Sequence, residues 1–247
     1  GLRQSLHSVS RLSGVAPLKN LILFDIDGTL LQCGSVSREC LSAAFEKVTG
    51  HTFPHEVTFA GKTDPLIVRE AFRAVSIGKS EWVEMEQKIL RTYPRYFEER
   101  MEDLREQSQL LSGVTELLDF LAHRRFPMAL LTGNLENTAR RKLDVFELNR
   151  FFPVGGFGSD CADRNRLARI ALERACRHFD KRFEPARCWV VGDTPRDQEA
   201  AKAVGARSLG VATGPFAEPV LEEFFPDATA ADLSSLGDIV KLLSSNP

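Results

Sequence analysis

Residues 20–31 read Asn-Leu-Ile-Leu-Phe-Asp-Ile-Asp-Gly-Thr-Leu-Leu, and the apolar run Leu21 to Phe24 with Ile26 is too short for a helix. A short, nearly continuous apolar run predicts a strand buried on both faces. Up to Ser112 the chain then reads as helix only. Leu41, Ala44, Phe45 and Val48 recur at i, i+3, i+4 and i+7, predicting a helix over 37–48 closed by Gly50. A second helix is predicted from Asp64 or Pro65 to Val75, with Pro65 suited to its first turn. A longer amphipathic stretch over 80–105 carries Trp82, Met85, Ile89, Leu90, Tyr93, Tyr96 and Phe97 and is interrupted by Pro94. From Ser112 strands and helices alternate. Helices are predicted over 114–124, 136–143, 167–178, 198–204 and 233–243, with a partly helical piece at 217–225. Strands are predicted over 128–131, 152–157, 188–191, 208–212 and 228–230. Strict alternation implies an α/β fold, a doubly wound parallel sheet covered by helices on both faces. The helical segment is inserted between its first and second strands. The organisation read is a tail over 1–19, a core formed by 20–32 with 112–247, and a helical insertion over 33–111.

Composition narrows the class without choosing the chemistry. The chain has 247 residues, 43% hydrophobic and 27% charged, as expected of an ordinary globular protein. Its formal net charge of −2 argues against a general nucleic-acid binder. No apolar run approaches the ~18 residues of a membrane span. The five cysteines (Cys33, Cys40, Cys161, Cys176 and Cys188) are odd in number and form no Cys-x-x-Cys pair, which fits reduced thiols and a cytoplasmic setting. Residues 1–19 contain no acid and carry Arg3, Arg11 and Lys19, which reads as a tail or short helix with a faint transit-peptide character.

Three strands end in polar signatures: Asp25-x-Asp27 with Gly28, Thr132-Gly133-Asn134, and Gly192-Asp193-Thr194. In an open parallel sheet ligands sit outside the carboxyl ends of the strands, so all three are placed on one rim. Asp25 and Asp27 would face opposite ways on a regular strand, and they converge only if the chain bends, which Gly28 permits. Asp25, Asp27 and Asp193 together could not all stay ionised without a cation. A hard, oxygen-ligated Mg²⁺ is the natural partner for such a set. Asn134 adds a donor, and the helix start after it favours an anion. None of the five histidines fits a ligand pattern.

The stretch Asp25-x-Asp27-Gly28-Thr29-Leu30, followed far downstream by Gly192-Asp193-x-x-x-Asp197, resembles the first and fourth motifs of the haloacid dehalogenase-like hydrolase superfamily. The helical insertion resembles the cap carried by its phosphoglycolate phosphatase-like branch. The resemblance implies a Rossmann-like core and a Mg²⁺-dependent phosphatase acting on a small phosphate monoester through an aspartyl-phosphate. Asp25 would be the nucleophile and Asp27 the general acid/base. Mg²⁺ would be held by the Asp25 and Asp193 carboxylates and the Asp27 backbone carbonyl. Asp197 would stand behind these ligands, orienting a water or the loop; as a bare helix-start acid it would only oppose the macrodipole. Thr132 would hold a phosphoryl oxygen, with Gly133 and Asn134 beside it. The third motif lacks its usual Lys-Pro, so Arg164, or alternatively Arg166, is assigned as the cation that offsets the charge of Asp25. Lys62, in Gly61-Lys62-Thr63-Asp64, matches a cap loop that reaches over the substrate. A phosphomutase shares these motifs, whereas a dehalogenase of this superfamily would lack Asp27. The partner implied is a small phosphorylated metabolite, with neither nucleic acid nor membrane, and with the protein as monomer or homodimer.

Overall fold

The computed structural model describes residues 19–247, so the tail read over 1–19 lies, apart from Lys19, outside the described residues. The first apolar run forms β1 (Leu21–Phe24), all four residues fully buried. A two-residue strand β2 (Leu31–Gln32) follows, and then four helices: α1 (Val36–Thr49), α2 (Asp64–Ala74), α3 (Trp82–Glu99) and α4 (Met101–Gln107). The chain returns through β3 (Gln109–Leu110) and α5 (Val114–His123) to β4 (Met128–Leu131). After it come α6 (Glu136–Asp144), β5 (Gly155–Gly156), α7 (Arg164–His178), β6 (Cys188–Gly192), α8 (Pro195–Val204) and β7 (Arg207–Val211). The described chain closes with α9 (Glu218–Glu222), β8 (Ala228–Ala230) and α10 (Leu236–Ser244).

Six strands form one parallel sheet in the order β5-β4-β1-β6-β7-β8. The chain winds outward from β1 to one edge, then crosses back to β6 on the other side of β1. That reversal is the switch point beside which an open sheet leaves a crevice. Alternate residues of β1 feed opposite layers. Ile22 and Phe24 join the cluster containing Leu117, Leu121, Leu143 and Ile239, whereas Leu21 and Leu23 pack with Leu167, Ala171, Ala175 and Ala200. The sheet is thus buried on both faces, as the continuous apolar runs require. Phe24 is in register with Leu130 on one side and Val191 on the other, so Asp25, Thr132 and Asp193 all follow at nearly one level of the rim.

The insertion leaves and re-enters the core through β2 and β3, an antiparallel ribbon with Leu31 opposite Leu110 and Gln32 opposite Gln109. Strands of two residues carry no periodicity, which is why the sequence pattern shows no sign of them. Within the insertion Leu41, Ala44, Phe45, Val68, Phe72, Ile89, Tyr93 and Phe97 form the buried stripe. Pro94 does not interrupt the third helix as expected; it sits inside α3, and the break comes at Arg100. A proline removes one i→i−4 bond, and here buried Ile89, Tyr93 and Phe97 flank it and hold the helix to its neighbours. Other bounds differ as well: α8 starts three residues earlier than expected, at Pro195, α9 is confined to Glu218–Glu222, and α10 starts three residues later, at Leu236. β5 is confined to Gly155–Gly156, and α7 starts at Arg164 because the Asp163 side chain accepts from the Asn165 N–H and caps it there. No helix among the described residues is long and apolar enough to cross a membrane.

Candidate active site

Asp25 leaves the end of β1 only 5% exposed, its N–H donating to the Val191 carbonyl at 3.0 Å. Asp193 follows β6 at 1% exposure, and its Oδ1 accepts from the Thr29 hydroxyl at 3.2 Å. Asp197 stands at the third position of α8. Asp25, Asp193 and Asp197 offer carboxylate oxygens within 4.8 Å of one another. The turn that makes this possible passes through Gly28, whose φ is +78° and where a Cβ would run into the Asp193 carboxylate.

The acids differ in what neutralises them. Arg164 Nη2 lies 2.5 Å from Asp197 Oδ1 and 3.1 Å from Asp25 Oδ1, and the arginine is itself buried at 6% exposure. The second oxygen of Asp197 accepts from the Thr194 N–H at 3.0 Å and the Thr194 hydroxyl at 2.8 Å, forming a capping box. Asp197 is therefore fully committed to Arg164 and the helix start, which suits a residue that orients the site from behind. Arg166 instead lines a separate cavity with Arg69 and Arg196. Burial pushes both Asp25 and Asp193 above the usual carboxylate range; Arg164 opposes the shift at Asp25, while the mutual repulsion of the acids adds to it.

Asp27 lies across the cavity in the opposite environment. Lys142, 1% exposed on α6, reaches both of its oxygens at 2.8 and 2.9 Å, and the Asn134 amide donates to it at 2.6 Å. Burial alone would raise the Asp27 carboxyl, but Lys142, Asn134 and the Cys33 thiol outweigh it and bring the carboxyl below its ordinary value. Lys142 was not legible as a site residue, because nothing along the sequence connects a lysine near the end of α6 to Asp27. Only the rise of α6, which brings Lys142 back beside Asn134 about two turns on, joins them, and Asn134 Oδ1 accepts from Lys142 at 2.7 Å. Asn134, expected to add a donor for the substrate, has its amide bonded to Asp27, Lys142 and Thr132.

Thr132 is fully buried and its oxygen accepts from the Asn134 N–H at 3.3 Å and from Asn134 Nδ2 at 2.7 Å. Its own O–H is left to donate into the cavity it lines. The insertion closes over this point. Asp64 N–H donates to the Gly133 carbonyl at 2.8 Å, and the Asp64 carboxylate accepts from the Leu135 N–H at 2.8 Å. Thr63 donates to the Ala162 carbonyl at 2.8 Å. A Cβ at Gly133 would run into the Lys62 carbonyl, so only glycine lets the two loops approach. Lys62 lines the cavity, but its ammonium is paired with Glu70 at 2.5 Å and held by Thr58 at 2.9 Å. Asp64, another residue the sequence did not single out, is buried and its carboxyl is pushed up to about 7, mainly by burial.

The donor set fits a hard divalent cation. Asp25 and Asp193 present carboxylate oxygens within 4.8 Å of each other, Arg164 pairs with Asp25 and Asp197, and burial holds Asp25 and Asp193 against ionisation. A cation there would satisfy both. Asp27 contributes no carboxylate to this cluster, its side chain being turned to Lys142.

A family model described as haloacid dehalogenase-like hydrolase matches residues 19–205. The chain is 26% identical over 228 residues to a phosphoglycolate phosphatase of Agrobacterium fabrum, covering 89% of this chain and 91% of that one. It is 26% identical over 223 residues to the pyrophosphatase PpaX of Halalkalibacterium halodurans, covering 90% and 96%. Among solved structures, CbbY from Rhodobacter sphaeroides, in complex with phosphate, superposes with a TM-score of 0.68 over 89% of this chain and 97% of that one at 18% identity.

Proposed function

The chain belongs to the haloacid dehalogenase-like hydrolases, and on that premise we propose that it is a Mg²⁺-dependent phosphatase that hydrolyses a small phosphorylated substrate through an aspartyl-phosphate on Asp25. One observation carries this reading. Two carboxylates two residues apart face one cavity, one buried beside Arg164 and a second acid, the other held by a buried lysine. Such a divergence of environments separates a nucleophile from a proton-transfer group.

In the first half-reaction an Asp25 oxygen forms a bond to phosphorus as the bond to the leaving oxygen breaks, and Asp27 gives that oxygen a proton. In the second, Asp27 takes a proton from water as its oxygen attacks phosphorus, and the phosphorus–Asp25 bond breaks. Asp27 thus regains the proton it gave up. Arg164 holds Asp25 in place, and Thr132 donates to a phosphoryl oxygen. Lys142 and Asn134 fix the direction of the Asp27 carboxylate. Asp25, Asp193 and the Asp27 backbone carbonyl would hold Mg²⁺, which would supply charge neutralisation for the phosphoryl group. The helical insertion acts as a cap, with the core formed by 20–32 and 112–247. The names carried by the relatives, phosphoglycolate phosphatase and pyrophosphatase, support phosphoryl hydrolysis as the reaction class.

The test is phosphate release from an aryl phosphate, with Mg²⁺ and with a chelator, for the wild type and Asp25→Asn. Release that needs the metal and falls by at least about 1,000-fold in the variant is expected, since removing a nucleophile leaves little catalysis. Release that survives either change contradicts the assignment.

A further inference from the structure

Four cations reach the wall of the cavity over the strand ends, which holds about 600 Å³: Arg38, Lys62, Lys142 and Arg164. Three of them are matched by acids. Lys62 pairs with Glu70, Lys142 with Asp27, and Arg164 with Asp25 and Asp197. Arg38, in the first turn of α1, is different. Its Nη1 donates to the Val57 carbonyl at 2.8 Å, and its Nη2 to the carbonyls of His55 at 2.9 Å and Pro54 at 3.4 Å. The guanidinium lies 5.0 Å from the Phe59 ring centroid and 5.4 Å from that of Phe53. Among the described residues no carboxylate pairs with it.

Carbonyls and ring faces fix the fork without cancelling its charge. Three of its five N–H donors are occupied, which leaves two for a ligand. The core supplies Asp25, Thr132 and Asp193 to the cavity, the side on which phosphoryl transfer is read; Arg38 and Phe59 come from the insertion. Resting on the phosphatase reading, we infer that Arg38 is a specificity-determining residue that binds a negative charge on the leaving group, which carries a carboxylate or is a second phosphate. Lys62, which motif position alone would select for this task, is already neutralised by Glu70.

The test compares the wild type, Arg38→Gln and Arg38→Lys by kcat/KM with Mg²⁺ on phosphoglycolate, pyrophosphate and 2-hydroxyethyl phosphate. The last is close in size to the first but has a neutral leaving group. The wild type is expected to prefer phosphoglycolate or pyrophosphate over 2-hydroxyethyl phosphate by at least about tenfold, the two arms showing whether carboxylate or phosphate is read. In Arg38→Gln this preference falls by roughly 10- to 100-fold, mainly through KM, the scale of one charged hydrogen bond. Arg38→Lys keeps part of it. An unchanged preference in Arg38→Gln, or an equal loss on all three substrates, overturns the inference. So does a wild type with no preference for an anionic leaving group, a result that stands even where Arg38→Gln fails to fold. If the wild type turns over neither these substrates nor an aryl phosphate, the phosphatase reading has failed. Arg38 is then decided by thermal shift of the Mg²⁺-loaded protein with phosphoglycolate against 2-hydroxyethyl phosphate. A larger shift with phosphoglycolate that is lost in Arg38→Gln supports the inference, and equal shifts overturn it.

Discussion

Asp25 and Asp27 are separated by one residue yet are held in opposite protonation tendencies, and each consequence can be measured. Burial raises Asp25 to about 7 and Asp193 to about 9 from an ordinary 3.8. The folded, metal-free protein therefore keeps protons that the unfolded chain has already released above pH ~4. Stability of the chelated protein is expected to fall as pH rises from about 4 to about 9, and Mg²⁺ should raise the melting temperature more at pH 8 than at pH 5.5. A Mg²⁺ effect independent of pH in thermal melts would contradict the paired-acid site. At Asp27 the sign is reversed, since Lys142 keeps the carboxylate ionised. Lys142→Met should raise the Asp27 carboxyl, move the limb of the pH–rate profile that Asp27 sets to higher pH and lower kcat by about tenfold or more. Asp27→Asn should cost an alkyl phosphate at least about 100-fold in kcat but an aryl phosphate less, because a good leaving group needs less protonation. Asp25, Asp27, Thr132 and Asp193 were legible as a group because each follows a strand end. Lys142 and Asp64 were not, since their roles depend on how a helix and an inserted loop are docked.

The elements that carry the insertion show where pattern reading fails and why. Helical stripes such as Leu41, Ala44 and Phe45 were readable, because burial repeats with the helical turn. The β2–β3 ribbon was invisible, being two residues on each side. Pro94 was misread as a break because its local cost is plain in sequence, while the packing of Tyr93 and Phe97 that offsets it is not. The junction between insertion and core combines a shared apolar cluster with loop contacts, Asp64 being bonded to Gly133 and Thr63 to Ala162. Gly133→Ala should separate these loops, because the added methyl meets the Lys62 carbonyl. The expected cost is about 1–3 kcal/mol in denaturant unfolding together with a raised KM. An unchanged midpoint and KM would show that the loops are not coupled as described.

At the scale of the molecule, the strand order β5-β4-β1-β6-β7-β8 is what turns four separate stretches of sequence into one site. β1 is central, so its end lies between those of β4 and β6, and residues more than a hundred positions apart meet at one level of the rim. Alternation of strands and helices was enough to place the site on that rim, since right-handed crossovers leave few arrangements. Alternation does not say which basic residue faces which acid. Arg164 and Arg166 differ by two positions, yet Arg164 pairs with Asp25 and lines the site cavity, whereas Arg166 lines only the neighbouring cavity. The proposed reaction passes through a covalent intermediate at the end of the central strand. The most direct measurement is to quench a turnover with ³²P-labelled aryl phosphate within milliseconds, count the label on the protein, and in a parallel sample reduce the acyl phosphate with borohydride to homoserine and map that residue by peptide mass. The account predicts label that appears and decays with turnover, located at Asp25 and absent from Asp25→Asn. Label at another residue, or steady turnover with none on the protein, would contradict it.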